Sequence, residues 1–259
     1  MLKQRIIGIA AALLFVGPGW LAAEVWAQPR PTGAGAILLK GLGVKGTAGK
    51  PALARKRFFL YPGSIDDNKP LITALKAAEI TSRNCFYSDA KASPCLINWL
   101  EQENCESPFC RKVTQADVAR VPEFKAAYDK GLTLYGSRTD LALDWIFDSF
   151  PANILSGYPL KRHSMLEQLQ KQFPFLQQIV TTSKGAEGRF AGLADGTYTV
   201  TSLLPIEVNS ASYVWVYEAK VTAANQNVSI RPALAQPASG GLVIRKDLKQ
   251  CVSAECPAK

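Results

Sequence analysis

The period at which apolar residues recur changes twice along the chain, and that change limits the folds open to it. Near the start, Ala36 to Val44 is an apolar, glycine-rich run, and Lys56-Arg57-Phe58-Phe59-Leu60-Tyr61 is a second run ended by Pro62-Gly63. Gly46-Thr47-Ala48-Gly49-Lys50-Pro51 supplies turn residues between them, so the two runs predict a hairpin. From about Asp66 to Gln172 the spacing becomes helical: Leu71, Leu75 and Ala78, then Cys95, Leu96, Trp99 and Leu100, then Leu141, Leu143, Trp145 and Ile146. A last helix, expected over Leu160 to Phe173, carries Met165, Leu166 and Leu169 on one face. Ser93 before Pro94 predicts an N-cap, Thr114 to Asp117 and Ser137 to Asp140 predict capping boxes, and Gly131 and Gly136 predict helix stops. After Phe175 the period returns to two, in short runs at 175–180, 197–201, 213–217, 228–230 and 242–244 bounded by Gly, Asn, Pro or Ser. Two early strands cannot bury their own faces. The pattern therefore predicts an α+β chain: an antiparallel β-sandwich over 36–65 and 174–259, interrupted by a helical insertion at 66–173.

Residues 1–27 read as a secretory signal peptide. Lys3 and Arg5 give a basic start, Ile6 to Ala23 is apolar, and Val25-Trp26-Ala27 offers small residues at the cleavage positions. Gly17-Pro18-Gly19 interrupts the apolar run, which favours a cleaved peptide over its alternative, a retained anchor, and predicts no stable membrane span after cleavage. No lipobox cysteine or adjacent arginine pair accompanies it. The Pro/Gly/Thr-rich residues 28–35 then read as a mobile linker. The expected location is periplasmic or extracellular.

Six cysteines, Cys85, Cys95, Cys105, Cys110, Cys251 and Cys256, form an even set, which in an exported chain predicts disulfides. Short loops cost the least entropy to close, so neighbours in sequence are the expected pairs: Cys85 with Cys95, Cys105 with Cys110, and Cys251 with Cys256. A zinc or haem site is disfavoured by inventory, because the chain has one histidine and no Cys-x-x-Cys. No metal and no cofactor is expected.

Hydrophobic residues make up 47% of the chain and charged residues 20%, a globular composition that excludes a disordered or polytopic membrane protein. The net charge is +9, of which the signal contributes a single unit, so the exported part stays basic and anionic partners are plausible. The positive charge is scattered except at Arg55-Lys56-Arg57 and Lys161-Arg162-His163. Neither cluster is interleaved with aromatics, and an exported chain rarely meets nucleic acid, so no nucleic-acid partner is expected.

Few residues of the chain stand in catalytic constellations. Gly43 to Pro51 has the wrong spacing for a phosphate loop, and Pro51 removes the metal-binding hydroxyl. Ser88-Asp89-Ala90-Lys91 has Ser-x-x-Lys spacing without its companion motifs. His163, beside Lys161, Arg162 and Glu167, fits a solvated helix start. Asp140, Asp144 and Asp148 would line one helix face as a solvated stripe, repelling one another by only a few tenths of a kcal/mol. Trp99, Trp145, Trp215, Phe147 and Phe150 read as core anchors. No catalytic residue is assigned.

One segment resembles a known family. Glu187-Gly188-Arg189-Phe190-Ala191-Gly192-Leu193-Ala194-Asp195-Gly196-Thr197-Tyr198-Thr199-Val200 resembles the carboxypeptidase regulatory-like domain, a small transthyretin-like (prealbumin-like) β-sandwich. Val44, Gly49-Lys50-Pro51 and the run Leu53 to Leu60 look like that family's opening hairpin. The resemblance implies a noncatalytic exported domain used for folding support, adhesion or ligand contact. The functional expectation is therefore a noncatalytic binding or structural module that contacts protein or an anionic cell-envelope polymer. The alternative is a periplasmic hydrolase using carboxylates such as Glu101, Glu103 or Asp144 between the helices and the sandwich.

Overall fold

The computed structural model describes residues 33–46, 49–248, 251 and 256. The expected signal peptide and residues 28–32 of the expected linker lie outside the described residues. Gly33 already donates to the Gly192 carbonyl at 2.9 Å, so the end of that linker is bound to the sheet instead of mobile.

Nine β-strands form two sheets among the described residues. In the smaller one, β1 (Gly35–Lys40) lies between β4 (Glu187–Leu193), antiparallel, and β8 (Asn227–Ile230), parallel. The larger is antiparallel throughout: β3 (Gln177–Val180), β2 (Arg57–Pro62), β5 (Gly196–Thr201) and β7 (Ala211–Val221) lie in that order. The short β6 (Ile206–Val208) and β9 (Gly241–Asp247) also pair with β7. The expected turn forms, closed by an antiparallel bridge between Lys45 and Pro51, but the strands on either side of it do not pair as a hairpin. β1 and β2 join different sheets, because each finds its long-range partners in the late strands and an isolated hairpin would leave both apolar faces wet.

The unbroken apolar run in β2 has a direct explanation in this layering. Successive strand residues point to opposite faces. Phe58 and Leu60 enter a core between the sheets with Ile37, Phe190, Val200 and Trp215, while Phe59 and Tyr61 enter a second core with Leu71, Leu75, Leu166 and Leu169. The larger sheet is thus covered on both faces where β2 crosses it. Each fully buried Phe or Leu stabilises by about 1.5–3 kcal/mol.

The seven α-helices among the described residues all lie between β2 and β3 in the chain. α1 (Lys69–Ala77) and the C-terminal half of α7 (Ala152–Gln172) supply the helical side of the second core. α2 (Arg83–Asp89), α3 (Pro94–Gln102), α4 (Gln115–Arg120), α5 (Pro122–Tyr135) and α6 (Thr139–Asp144) gather around Trp99, Phe124 and Ile146 in a third core. Ser93 caps α3 by accepting from Leu96 N–H at 3.1 Å, and Thr114 with Asp117 closes a capping box on α4. Gly136, at φ 61°, ends α5 in a left-handed conformation that glycine adopts without strain.

Three local expectations are corrected. Gly131 does not stop a helix but sits inside α5, where a Cβ would stand 2.9 Å from Ala142 Cα, so it permits α5 and α6 to approach closely. The expected Ser137 capping box is absent, since α6 starts at Thr139 with Arg138 at its N-cap and no side-chain cap. α7 begins at Ala152 and runs through Pro159, eight residues earlier than the apolar period indicated. Proline removes one backbone donor but leaves the flanking turns intact when their side chains are packed, as Ile154 and Tyr158 are.

The six cysteines form three disulfides, two of them between segments far apart in sequence. Cys105 pairs with Cys110 as expected, but Cys85 pairs with Cys251 and Cys95 with Cys256, across separations of 166 and 161 residues. The local scheme for these four fails because it weighs only the cost of closing a loop in a free chain. In the folded protein the Cα atoms stand 5.0 and 4.7 Å apart, within disulfide range. The end of the chain, expected to belong to the sandwich, is thereby tied to α2 and α3. Three disulfides fit an oxidising compartment. Among the described residues, no helix is long and apolar enough to cross a membrane.

Candidate anion-binding site

The two basic clusters of the sequence meet. Arg55, Lys56 and Arg57, at the entry to β2, and Arg162 and His163, on α7, line one cavity of about 470 Å³. Pro159, Leu160, Leu166, Leu204 and Ile206 contribute its apolar wall, and Ser156, Ser202 and Glu106 its other polar groups.

The β2 entry is fixed by Thr181, which is buried beneath it. Arg55 N–H donates to the Thr181 carbonyl at 3.2 Å, Lys56 N–H donates to Thr181 Oγ1 at 2.9 Å, and Thr181 N–H returns a bond to the Lys56 carbonyl at 2.9 Å. Thr181 Oγ1 in turn donates to the Leu53 carbonyl. Arg55 occupies the left-handed region at φ 58°, unusual for a residue with a Cβ and sustained here by the bonds on either side.

Glu106 organises the floor. Its Oε1 accepts from Lys56 Nζ at 2.8 Å, and its Oε2 lies 3.1 Å from Arg162 Nε. Arg162 Nη1 donates to the Pro205 carbonyl at 2.8 Å, and the Tyr87 hydroxyl donates to the Glu106 carbonyl at 2.8 Å. Burial works against ionising Glu106, but Lys56, Arg162 and Arg83 outweigh it and hold its carboxyl down at about 2. Behind the floor, Glu207 accepts from Tyr158 Oη at 3.0 Å and from Arg83 N–H at 2.5 Å. Burial and the neighbouring Glu207 push the Tyr158 phenol well above its ordinary range, so it stays a donor.

The charge balance favours an anion. Four permanent cations line the cavity against the single carboxylate Glu106, which engages Lys56 and Arg162. Arg55 and Arg57 are exposed and have no acidic partner among the described residues. Two buried polar atoms lack an aligned hydrogen bond among the described residues, Arg162 Nε and Ser202 Oγ, and both residues line this cavity. A second cavity of about 530 Å³, beside α7, is lined by Ile80, Met165, Leu169 and Pro205, with Lys161 and the shared Arg162 as its cations and Glu79 as its carboxylate. It gathers no comparable set of cations.

The carboxylates considered for hydrolysis are held in separate bonds. Glu103 pairs with Lys50 at 2.6 Å and Arg111 at 3.1 Å, Glu101 accepts from Asn84 at 3.3 Å, and Asp144 pairs with Lys112 at 2.8 Å. None of the three lines the basic cavity. The expected Asp140, Asp144 and Asp148 stripe is interrupted, because α6 ends at Asp144 and a 3-10 turn takes over at Trp145–Ser149. Asp140 pairs with Arg138 at 3.0 Å. His163 is not at a helix start but in mid-α7, exposed and 3.3 Å from Glu167 Oε1.

Asp117 was visible in the sequence only as a helix cap, yet it is the most heavily bonded carboxylate of the helical layers. It accepts from Arg111 at 2.7 and 2.8 Å, from Trp99 Nε1 at 2.8 Å and from Thr114 N–H at 2.8 Å, while Arg111 lies over the Trp99 ring. With its donors committed within the core, this cluster is structural. Among the described residues, no group of His, Cys, Asp and Glu is arranged to hold a metal ion. Searches of known protein families, curated proteins and solved structures find no match to the chain.

Proposed function

We propose that the protein is a noncatalytic, exported binding module that contacts anionic cell-envelope material through the basic cavity between α7 and the entry to β2. The observation that carries this reading is the convergence of the two basic clusters, with Arg55 and Arg57 left without acidic partners among the described residues. The three disulfides are consistent with life outside the reducing cytosol.

The fold reading belongs to the same proposal: a carboxypeptidase regulatory-like sandwich carrying its helices as an insertion. Support comes from β1 pairing with β4 and β8, and β2 with β3 and β5, so early and late strands share both sheets. Phe190 and Leu193, within the segment that resembles the family, are buried in the core between the sheets.

The test is cosedimentation of residues 28–259 with isolated envelope material across a salt series. Retention at low salt and release as ionic strength rises is the expected outcome, because screening weakens contacts of exposed charges first. Salt-resistant retention through one crosslinked protein would replace the polyanion with a protein partner. Turnover of envelope substrates would contradict the noncatalytic reading.

A further inference from the structure

We propose that the cavity seats one phosphate monoester carried on an apolar stem, an inference that rests on the anion-binding reading above and specifies its ligand. Three observations converge on that chemistry. Arg55 and Arg57 offer guanidinium groups not committed to any carboxylate among the described residues, and guanidinium forks match phosphate oxygens in pairs. Ser202 is 2% exposed, yet its hydroxyl bonds to nothing among the described residues, although its backbone N–H is satisfied by the Trp215 carbonyl at 3.2 Å. A buried hydroxyl without a partner is costly unless a ligand completes it.

The third observation is the shape and wall of the cavity. At about 470 Å³ it is much larger than a bare inorganic anion requires and falls within the range of small-molecule sites. Leu166 and Ile206 are buried at its inner side, while Leu160 is 61% exposed on its wall, an apolar surface that an attached hydrocarbon would cover. A phosphate monoester carries between one and two negative charges near neutral pH and three strong acceptor oxygens. That charge offsets the repulsion of Glu106, which already shares itself between Lys56 and Arg162.

The experiment is calorimetric titration of residues 28–259, disulfides intact, with hexyl phosphate, inorganic phosphate, hexanol and vesicles containing phosphatidic acid. Hexyl phosphate should bind one-to-one and at least about tenfold tighter than inorganic phosphate, since burying a few methylenes suffices for that factor. Hexanol should not bind. Ser202→Ala should weaken hexyl phosphate about three- to tenfold while leaving the thermal midpoint unchanged or higher, because its hydroxyl makes no bond in the fold. Arg55→Ala should weaken it by more than tenfold. Displacement of hexyl phosphate by the vesicles would support the site with a lipid headgroup as the source, and binding without displacement would support it with a soluble source. Failure of hexyl phosphate to bind, equal binding of hexanol, or unchanged binding in both variants would overturn the inference. If envelope retention persists while hexyl phosphate fails, the broader reading stands and this one falls. Loss of both removes both.

Discussion

Glu106 is held at the floor of the cavity by Lys56, at 2.8 Å, and by Arg162, at 3.1 Å. Its depressed carboxyl makes a prediction about acid. Because the folded-state value lies below the ordinary one, the stability it contributes is present in full above about pH 4.5 and is lost as pH falls toward about 2. The side chain keeps 36% of its exposure, so solvent screening keeps the contribution to roughly 1–2 kcal/mol. Denaturation midpoints measured from pH 6 to about pH 2 should fall for the native chain and fall less steeply for Glu106→Gln. Identical acid slopes would show that the ion pairs add nothing. Asp117 is depressed in the same direction, with Arg111 and Thr114 opposing its burial, and supplies the acid dependence that remains in the variant. Little of this was legible in the sequence. Glu106 sits next to Cys105 with no motif around it, and its partners are 50 residues away at Lys56 and on α7 at Arg162.

At the scale of elements, local chemistry was readable and long-range pairing was not. Ser93, Thr114 and Gly136 announced helix ends because capping depends on residues within a few positions. Gly131 was misread for the complementary reason. Its role depends on Ala142, which the periodicity of α5 alone does not include. The apolar runs of β1 and β2 were recognised as strands, but periodicity carries no information on partners, and the parallel pairing of β1 with β8 could not be drawn from it. The cysteines make the same point, since proximity in sequence identified Cys105 with Cys110 and missed both links to the chain end. Those links should differ in energetic weight. On chain-entropy grounds, with Cys95–Cys256 intact, the Cys85–Cys251 link closes only the short ring through 85–95 and 251–256, so replacing Cys85 and Cys251 by serine should cost about 3 kcal/mol, and replacing Cys105 and Cys110 about 2 kcal/mol. Urea denaturation of the two double variants checks the ordering. A larger loss for the Cys105 and Cys110 variant would contradict the loop-size argument and show that Cys95–Cys256 alone holds the segment around Cys251.

The whole molecule stacks the smaller sheet, the larger sheet and helices α1 and α7, with the remaining helices around their own core. The candidate site arises from that arrangement. Arg55-Lys56-Arg57 belongs to the entry of β2 and Arg162-His163 to α7, so neither cluster forms the cavity alone. The sequence marked both clusters as concentrations of charge but left their separation in space open. A diffuse basic surface and a defined site make different predictions about where charge matters, even when net charge is the same. Arg57→Glu and Lys184→Glu change the net charge equally, and Lys184 is exposed and outside the cavity. The most direct measurement is retention of these two variants on isolated envelope material at low salt, beside the native chain. Arg57→Glu should lose most of its retention and Lys184→Glu keep nearly all of it. Equal loss in both would contradict a site and leave only the overall charge of the protein to account for binding.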